Sequence, residues 1–250
     1  MSEPAVKKRK VMQFIACQGG RDRAVLREHY LRHHAPLALL HCPRIRRYVV
    51  NLIDVKASIK HRSGMAALNR ELDPPPFEVV TEMWFDSFED FKDPARFYAS
   101  PASGELLRDD LREMGAKVFD YLIVETIQWD RTPKPAVGER TPGVKAILST
   151  RRRETIPNKE VEALWRKHSI AAAKYHCYAT SYIQDGVITA LTPDAPVVHG
   201  IAELFFPTKE DLEERFYGGT IEGEQAIAAD AGPFVADAIG LYASEYVLRP

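Results

Sequence analysis

The stretch REHYLRHHAPLALLHCPRIRRYVVN, residues 27–51, sets His33, His34 and His41 on a segment whose apolar spacing predicts a helix. Tyr30, His34, Leu37 and His41 follow at steps of four, three and four, which puts them on one helix face. An imidazole titrates near pH ~6.5, takes or gives a proton around neutrality, and is raised by a facing carboxylate. Further along, Glu78, Val80, Glu82 and Trp84 alternate with Val79, Thr81, Met83 and Phe85, a strand with one polar and one mostly apolar face. A helix histidine opposite Glu82 would be a general acid/base, worth about 10²- to 10⁴-fold in rate. The hydroxyl of Tyr48 could donate to a developing oxyanion. Such parts suit the removal of water, carbon dioxide or a small carbonyl fragment from an activated substrate. Trp84 favours a flat aromatic one.

The same set occurs twice. HHAPLALLHCPRIRRYVVN lies over KHSIAAAKYHCYATSYIQD at an offset of 134, pairing His34 with His168, His41 with Tyr175, Cys42 with His176 and Tyr48 with Tyr182. TEMWFDSFEDF lies over AELFFPTKEDL at 121, pairing Glu82 with Glu203 and Trp84 with Phe205. RFYASPASGE over RFYGGTIEGE follows at 119, and IVETIQ over ASEYVL at 120 sets Glu125 opposite Glu245. The candidate catalytic groups are His34, His168, Glu82, Glu203 and Tyr48. Tyr30, His41, Trp84, Tyr182, His199 and Phe205 are the candidate substrate contacts. Competing roles stay open: a packed histidine, ion pairs of Glu82 and Glu203 with Arg46 or Arg47, and His41 and His176 as caps of helix C-termini. Glu125 and Glu245 read as structural or exposed.

The repeat dictates the organisation. One unit runs over residues 10–129, a proline-rich linker over 130–142, and a second unit over 143–250. The fall in offset from 134 to 121 gives the first unit thirteen extra residues, within DVKASIKHRSGMAALNRELDPPP. That insertion, around residues 55–75, is placed to lid the first unit's pocket. Each unit reads as β-α-β-β-α-β, with first helices over 21–41 and 158–175, the ferredoxin-like order. Such a sheet has one bare face, and a second sheet of the same kind is its natural cover. The expected fold is therefore α+β: two ferredoxin-like repeats packed sheet to sheet as an intramolecular barrel around a small cavity, with the histidines and Glu82 and Glu203 turned into it.

Composition narrows the partners. The chain is 45% hydrophobic with 34 basic and 35 acidic residues, so it builds a core but no broad positive field for nucleic acid. KKRK, residues 7–10, reads as a solvated terminus. No apolar run reaches the roughly 18 residues that span a bilayer. Cys17, Cys42 and Cys177 are odd in number and lack CxxC spacing, which suits a reducing, cytoplasmic setting. No HExxH or phosphate-binding loop is present, so neither metal nor another cofactor is expected. A homodimer is compatible with the pattern.

HYLRHHAPLALLHCPRIRRYVVN followed by TEMWFDSFEDF resembles the EthD domain of the dimeric α+β-barrel superfamily. The pattern there is an aromatic four residues before His-Ala-Pro, an Arg-Tyr strand, then Glu-x-Trp-Phe-Asp; here these are Tyr30, His34-Ala35-Pro36, Arg47-Tyr48 and Glu82 to Asp86. The second copy departs, with His168-Ser169-Ile170, Trp165 three residues ahead, and Phe205 for the tryptophan. The resemblance implies the barrel fold and a small aromatic or apolar substrate. Together with the acid/base groups, it gives a cofactor-independent lyase or isomerase acting on an aromatic, polyketide-like molecule. A haem-binding or cofactor-free oxygenase and a non-catalytic carrier of a hydrophobic ligand are the alternatives.

Overall fold

The computed structural model describes residues 8–63 and 69–250. The first half runs β1 (Lys8–Cys17), α1 (Arg23–His29), a π-helical turn (Tyr30–His34), α2 (Ala35–His41), β2 (Arg47–Leu52), β3 (Asn69–Glu71), β4 (Val79–Trp84), α3 (Glu89–Lys92), α4 (Pro94–Phe97), α5 (Pro101–Glu113) and β5 (Ala116–Asp130). The second runs β6 (Val144–Arg152), α6 (Asn158–Tyr175), β7 (Ser181–Ala190), β8 (Gly200–Phe206), α7 (Lys209–Arg215), α8 (Ile221–Ala231) and β9 (Val235–Arg249). Helix starts follow local chemistry. The Asp22 carboxylate accepts from the N–H groups of Ala24 and Val25, and Ser100, Thr208 and Thr220 cap α5, α7 and α8 in the same way. The helix expected over 21–41 is interrupted by the π turn, whose wider register keeps both Tyr30 and His34 buried and leaves His33 outside.

Eight antiparallel strands close on themselves in the order β2-β4-β1-β5-β7-β8-β6-β9, with β9 returning to β2; β3 joins β9 in parallel outside this ring. The result is a mixed α+β fold around a closed barrel. Two seams join the halves, β5 with β7 and β2 with β9. The long strands β5 and β9 make them possible, each pairing within its own half on one edge and across on the other. The intervening residues are pinned along the wall, with the N–H groups of Gly138 and Thr141 donating to the carbonyls of Val247 and Glu245.

Strand alternation assigns the two faces as the sequence suggests. Val79, Met83, Ala202, Leu204 and Phe206 turn outward to the helices. Met12, Phe14, Val80, Tyr121, Ile123, Ile147, Ile201 and Leu241 fill one end of the barrel interior. The other end is ionic. The Lys10 ammonium, with no exposed surface, sits 3.0 Å from Glu82, 3.3 Å from Glu125, 2.8 Å from Asp185 and 2.5 Å from Glu203. The Lys145 ammonium contacts Glu82, Glu203 and Glu245. Lys10 stands opposite Trp84 on its neighbouring strand and Lys145 opposite Phe205, so the halves supply matching lysines and matching glutamates.

One position breaks the match. Asn51 faces Val80, and its amide donates to Glu82 at 2.9 Å, whereas Asp185 faces Ile201 beside Glu203. Burial, then Glu203 and Glu125, push the Asp185 carboxyl well above the usual range against the pull of Lys10. Burial also resists charge on Glu203, but Lys10 and Lys145 overcome it and hold that carboxyl well below its usual range. Of the two, Asp185 is therefore the one that takes up a proton first, and once protonated it can donate to Glu203 as the Asn51 amide donates to Glu82.

These side chains pack the barrel interior, and a hollow beside Glu82, Lys145, Glu203 and Glu245 has a volume of about 30 Å³. Three expectations are corrected. Glu82 and Glu203 pair with Lys10 and Lys145, not with Arg46 or Arg47; Arg46 binds Asp86, and Arg47 lies over the Trp84 ring at 4.3 Å. Lys10 of KKRK is the hub of the interior instead of solvated, while Lys7 lies outside the described residues. No histidine faces Glu82 or Glu203, because the helices cover the outer sheet surface and these carboxylates point inward.

Candidate active site

His34 and His168 both lie between helix and sheet, and each is bound by an aspartate from the last helix of its own half. Nδ1 of His34 is 2.7 Å from Asp110 on α5, and Nδ1 of His168 is 2.6 Å from Asp230 on α8. A carboxylate only accepts, so each Nδ1 carries the hydrogen of this bond. Burial lowers the His168 pKa from its ordinary value, in spite of Asp230, so the ring is a neutral base.

The surroundings of the two dyads differ. In the first half the Tyr30 ring stacks on His34 at 4.7 Å, and its hydroxyl lies 3.3 Å from that of Tyr48, both fully buried. Asp110 is also shared with His29, at 2.8 Å, and the His34 bond foremost holds its carboxyl below the usual range. In the second half Leu164 replaces Tyr30, and an apolar cavity of about 80 Å³ remains, walled by Leu148, Ala202, Leu204, Phe216 and Phe234. Its polar lining is Thr150, His168, His176, Tyr182, Tyr217 and the indole of Trp165. His176 donates Nδ1–H to the Phe216 carbonyl at 2.7 Å, and burial pushes its pKa down to about 4, so it too is neutral. The Tyr182 hydroxyl accepts from Gln184 at 3.0 Å, which leaves its own hydrogen for a ligand, and burial pushes its pKa up to about 12. An apolar hollow with a few convergent polar groups is the ordinary form of a small-molecule site.

The expected residues thus fall into separate places. His168 and Tyr182 meet at the cavity, while His34, Tyr30 and Tyr48 meet in the filled layer of the first half. Glu82, Glu203, Trp84 and Phe205 belong to the barrel interior and its mouth. His41 bonds Ser103 at 2.9 Å and Cys42 takes the C-cap position of its helix, whereas His176 is the C-cap residue of α6, its N–H donating to the Ala172 carbonyl while its ring turns to Phe216. His199 stands apart, its ring accepting from the Arg152 N–H at 3.3 Å. Glu125 and Glu245 hold the interior lysines.

The sequence alone did not show Asp110 and Asp230. Their separation of 120 equals the offset of the closing strands, but the preceding block runs at 119, so the register slips by one within this helix. The insertion also behaves differently from expectation. Its described part crosses to the second half, where Ile59 is buried in the core and Glu224 accepts from His61 at 3.0 Å and from the N–H groups of Arg62 at 2.5 Å and Ser63 at 2.8 Å. It does not cover the first half's histidine; residues 64–68 of it lie outside the described residues. A wider groove of about 590 Å³ opens between this segment and β9. Its Arg23 and Arg27 already pair with Glu78, and Tyr242 donates to Glu71 at 2.9 Å.

Among the described residues, no helix is long and apolar enough to cross a membrane. No curated protein matches the chain significantly. In overall structure it is similar to an anthrone oxidase-like protein, at 9% identity and a TM-score of 0.62, over 99% of this chain and 98% of that one. It is also similar to a dye-decolorizing peroxidase from Bacteroides thetaiotaomicron, at 8% identity and a TM-score of 0.50, over 97% and 93%. At these identities the likeness establishes the α+β-barrel fold. Residues 18–113, within the half whose helix–sheet layer is filled, match the EthD domain.

Proposed function

We propose that the protein is a small-molecule enzyme whose active site is the second-half cavity, with His168 as general base. The observation that carries this is the Asp230–His168 pair at 2.6 Å, with the free Nε2 facing an apolar hollow. His168 takes the acidic C–H proton beside the carbonyl of a β-hydroxylated aromatic ketone. Asp230 stabilises the imidazolium that forms, and the Tyr182 hydroxyl donates to the oxyanion. In a lyase the resulting enolate expels hydroxide from the neighbouring carbon, and the imidazolium proton leaves with it as water. No other component is consumed.

The likeness to an anthrone oxidase-like protein supports a second reading, in which the same carbanion is oxidised by molecular oxygen. Haem does not fit this hollow: about 80 Å³ is several-fold below the roughly 300–1,000 Å³ of pockets that enclose ligands of drug or cofactor size. The same strand order in both halves, β2-β4-β1-β5 and β7-β8-β6-β9, supports descent from a tandem pair of ferredoxin-like units.

The test is incubation of a panel of hydroxylated aromatic ketones in D2O, with mass spectrometry and an oxygen electrode. Deuterium uptake or loss of water by wild type but not by H168Q supports the lyase. His168-dependent oxygen uptake supports the oxidase. Equal behaviour of wild type and H168Q overturns both.

A further inference from the structure

Trp165 precedes His168 by three residues on α6, and its indole borders the same cavity. Beneath it lies Gly200, the first residue of β8. A Cβ added at Gly200 would stand 1.4 Å from Cζ3 and 1.7 Å from Cη2 of Trp165, so the ring rests directly on the glycine backbone. Gly200 is not among the glycines with positive φ, so it is the indole and not the backbone conformation that excludes a side chain. At the offsets of 134 and 121, the first half carries Leu31 and Val79 in these places. Where the first half has an aliphatic pair in one core cluster, the second has a flat ring on a bare strand.

The ring's position is as telling as its seat. Trp165 is only partly buried and packs against two apolar clusters, one around Tyr182, Leu204 and Phe216 and another around Val161 and Phe234. The cavity is bordered by residues of both. At about 80 Å³ it is also smaller than the roughly 150 Å³ hollow that takes up benzene in an engineered core. No aromatic substrate enters until something moves, and the indole is the large side chain that rests on bare glycine backbone, tied by its hydrogen bond to Tyr182, which an incoming hydroxyl can replace.

We propose that Trp165 is the door and the size-selecting wall of this site. The indole swings off Gly200 to admit a flat bicyclic phenol, which takes over the seat on the glycine and reaches Nε2 of His168 with its hydroxyl. The proposal rests on the His168 cavity being the active site. It names the substrate class that such a site takes: phenols about the size of the ring they displace, larger than benzene and smaller than a three-ring system.

The experiment is stopped-flow fluorescence and calorimetric titration of the full chain with phenol, 2-naphthol and 2-anthrol. Wild type is expected to prefer 2-naphthol, with an observed binding rate that levels off at high ligand because door opening limits it. G200A unseats the indole and raises that plateau at least tenfold. W165A shifts the preference to 2-anthrol by a similar factor. The double variant W165L/G200V installs the pair that the first half already accommodates, and is expected to fold, by circular dichroism, and to bind none of the three. Should G200A or W165A fold poorly, the other still tests the door. If rate and size ranking stay within twofold of wild type in every folded variant while H168Q alters the pH dependence of binding, the door is overturned and the active-site assignment stands. If neither wild type nor W165A binds any of the phenols, the cavity is not the site and the proposal falls with it.

Discussion

The helix–sheet layers of the two halves hold the same histidine–aspartate pair, yet the first packs it against Tyr30 and Tyr48 while the second leaves a cavity of about 80 Å³ beside it. Tyr30 packs on His34 in the first half where the second has Leu164, and Cys42 stands where His176 brings a further imidazole to the cavity. The barrel interior, by contrast, is almost symmetric, with Lys10 matched by Lys145, Glu82 by Glu203 and Glu125 by Glu245. The difference teaches that a dyad is not yet a site. Under the proposed reading, space beside the free nitrogen decides which half can work, while the shared interior holds the fold together.

The largest expected effect separates the two dyads directly. With a turned-over substrate, H168Q should lower kcat/KM by about 10²- to 10⁴-fold, and H34Q by less than about threefold. Equal losses would mean that both layers act. The interior is next. K10M leaves four carboxylates around a missing charge and should cost about 3–5 kcal/mol in urea unfolding.

The pH dependence of stability then sharpens the contrast at Cys42 and His176. The folded-state pKa of His176, about 4, lies below the ordinary 6.5, so as pH falls the unfolded chain takes up the proton first. Its contribution, about 3 kcal/mol, is complete above pH 6.5 and lost progressively between there and pH 4. Replacing His176 with Cys, the first-half residue, should flatten that part of the profile in chemical unfolding measured across pH. The smallest effect is expected at Asp185. D185N reproduces the Asn51 arrangement and should change stability by less than about 1 kcal/mol. A loss as large as that of K10M would show that Asp185 is charged.

Much of this was legible in the sequence. The alternation along Val79–Phe85 and 200–206 separates the outward from the inward side chains, because a strand's period of two leaves no choice once one face is apolar. The bare face of each sheet calls for the closed barrel. What the pattern did not convey is that the sheet itself stands between the helix histidines and Glu82 and Glu203. Periodicity tells which residues share a face, but two faces of different elements meet only through layering. Asp110 and Asp230 were hidden by the one-residue slip in register within their helix. Lys10 was hidden by its place in a basic terminal run, where charge ordinarily means solvent. The cavity follows from differences in side-chain volume summed over several elements, a quantity that no linear motif records.

The most direct test of the account is a crystal structure of the protein soaked with 2-naphthol. Density for one aromatic ligand between α6 and β8, its oxygen within hydrogen-bonding distance of Nε2 of His168, is the predicted result. Density beside His34, or among the lysines and glutamates inside the barrel, with the second-half cavity empty, would contradict it.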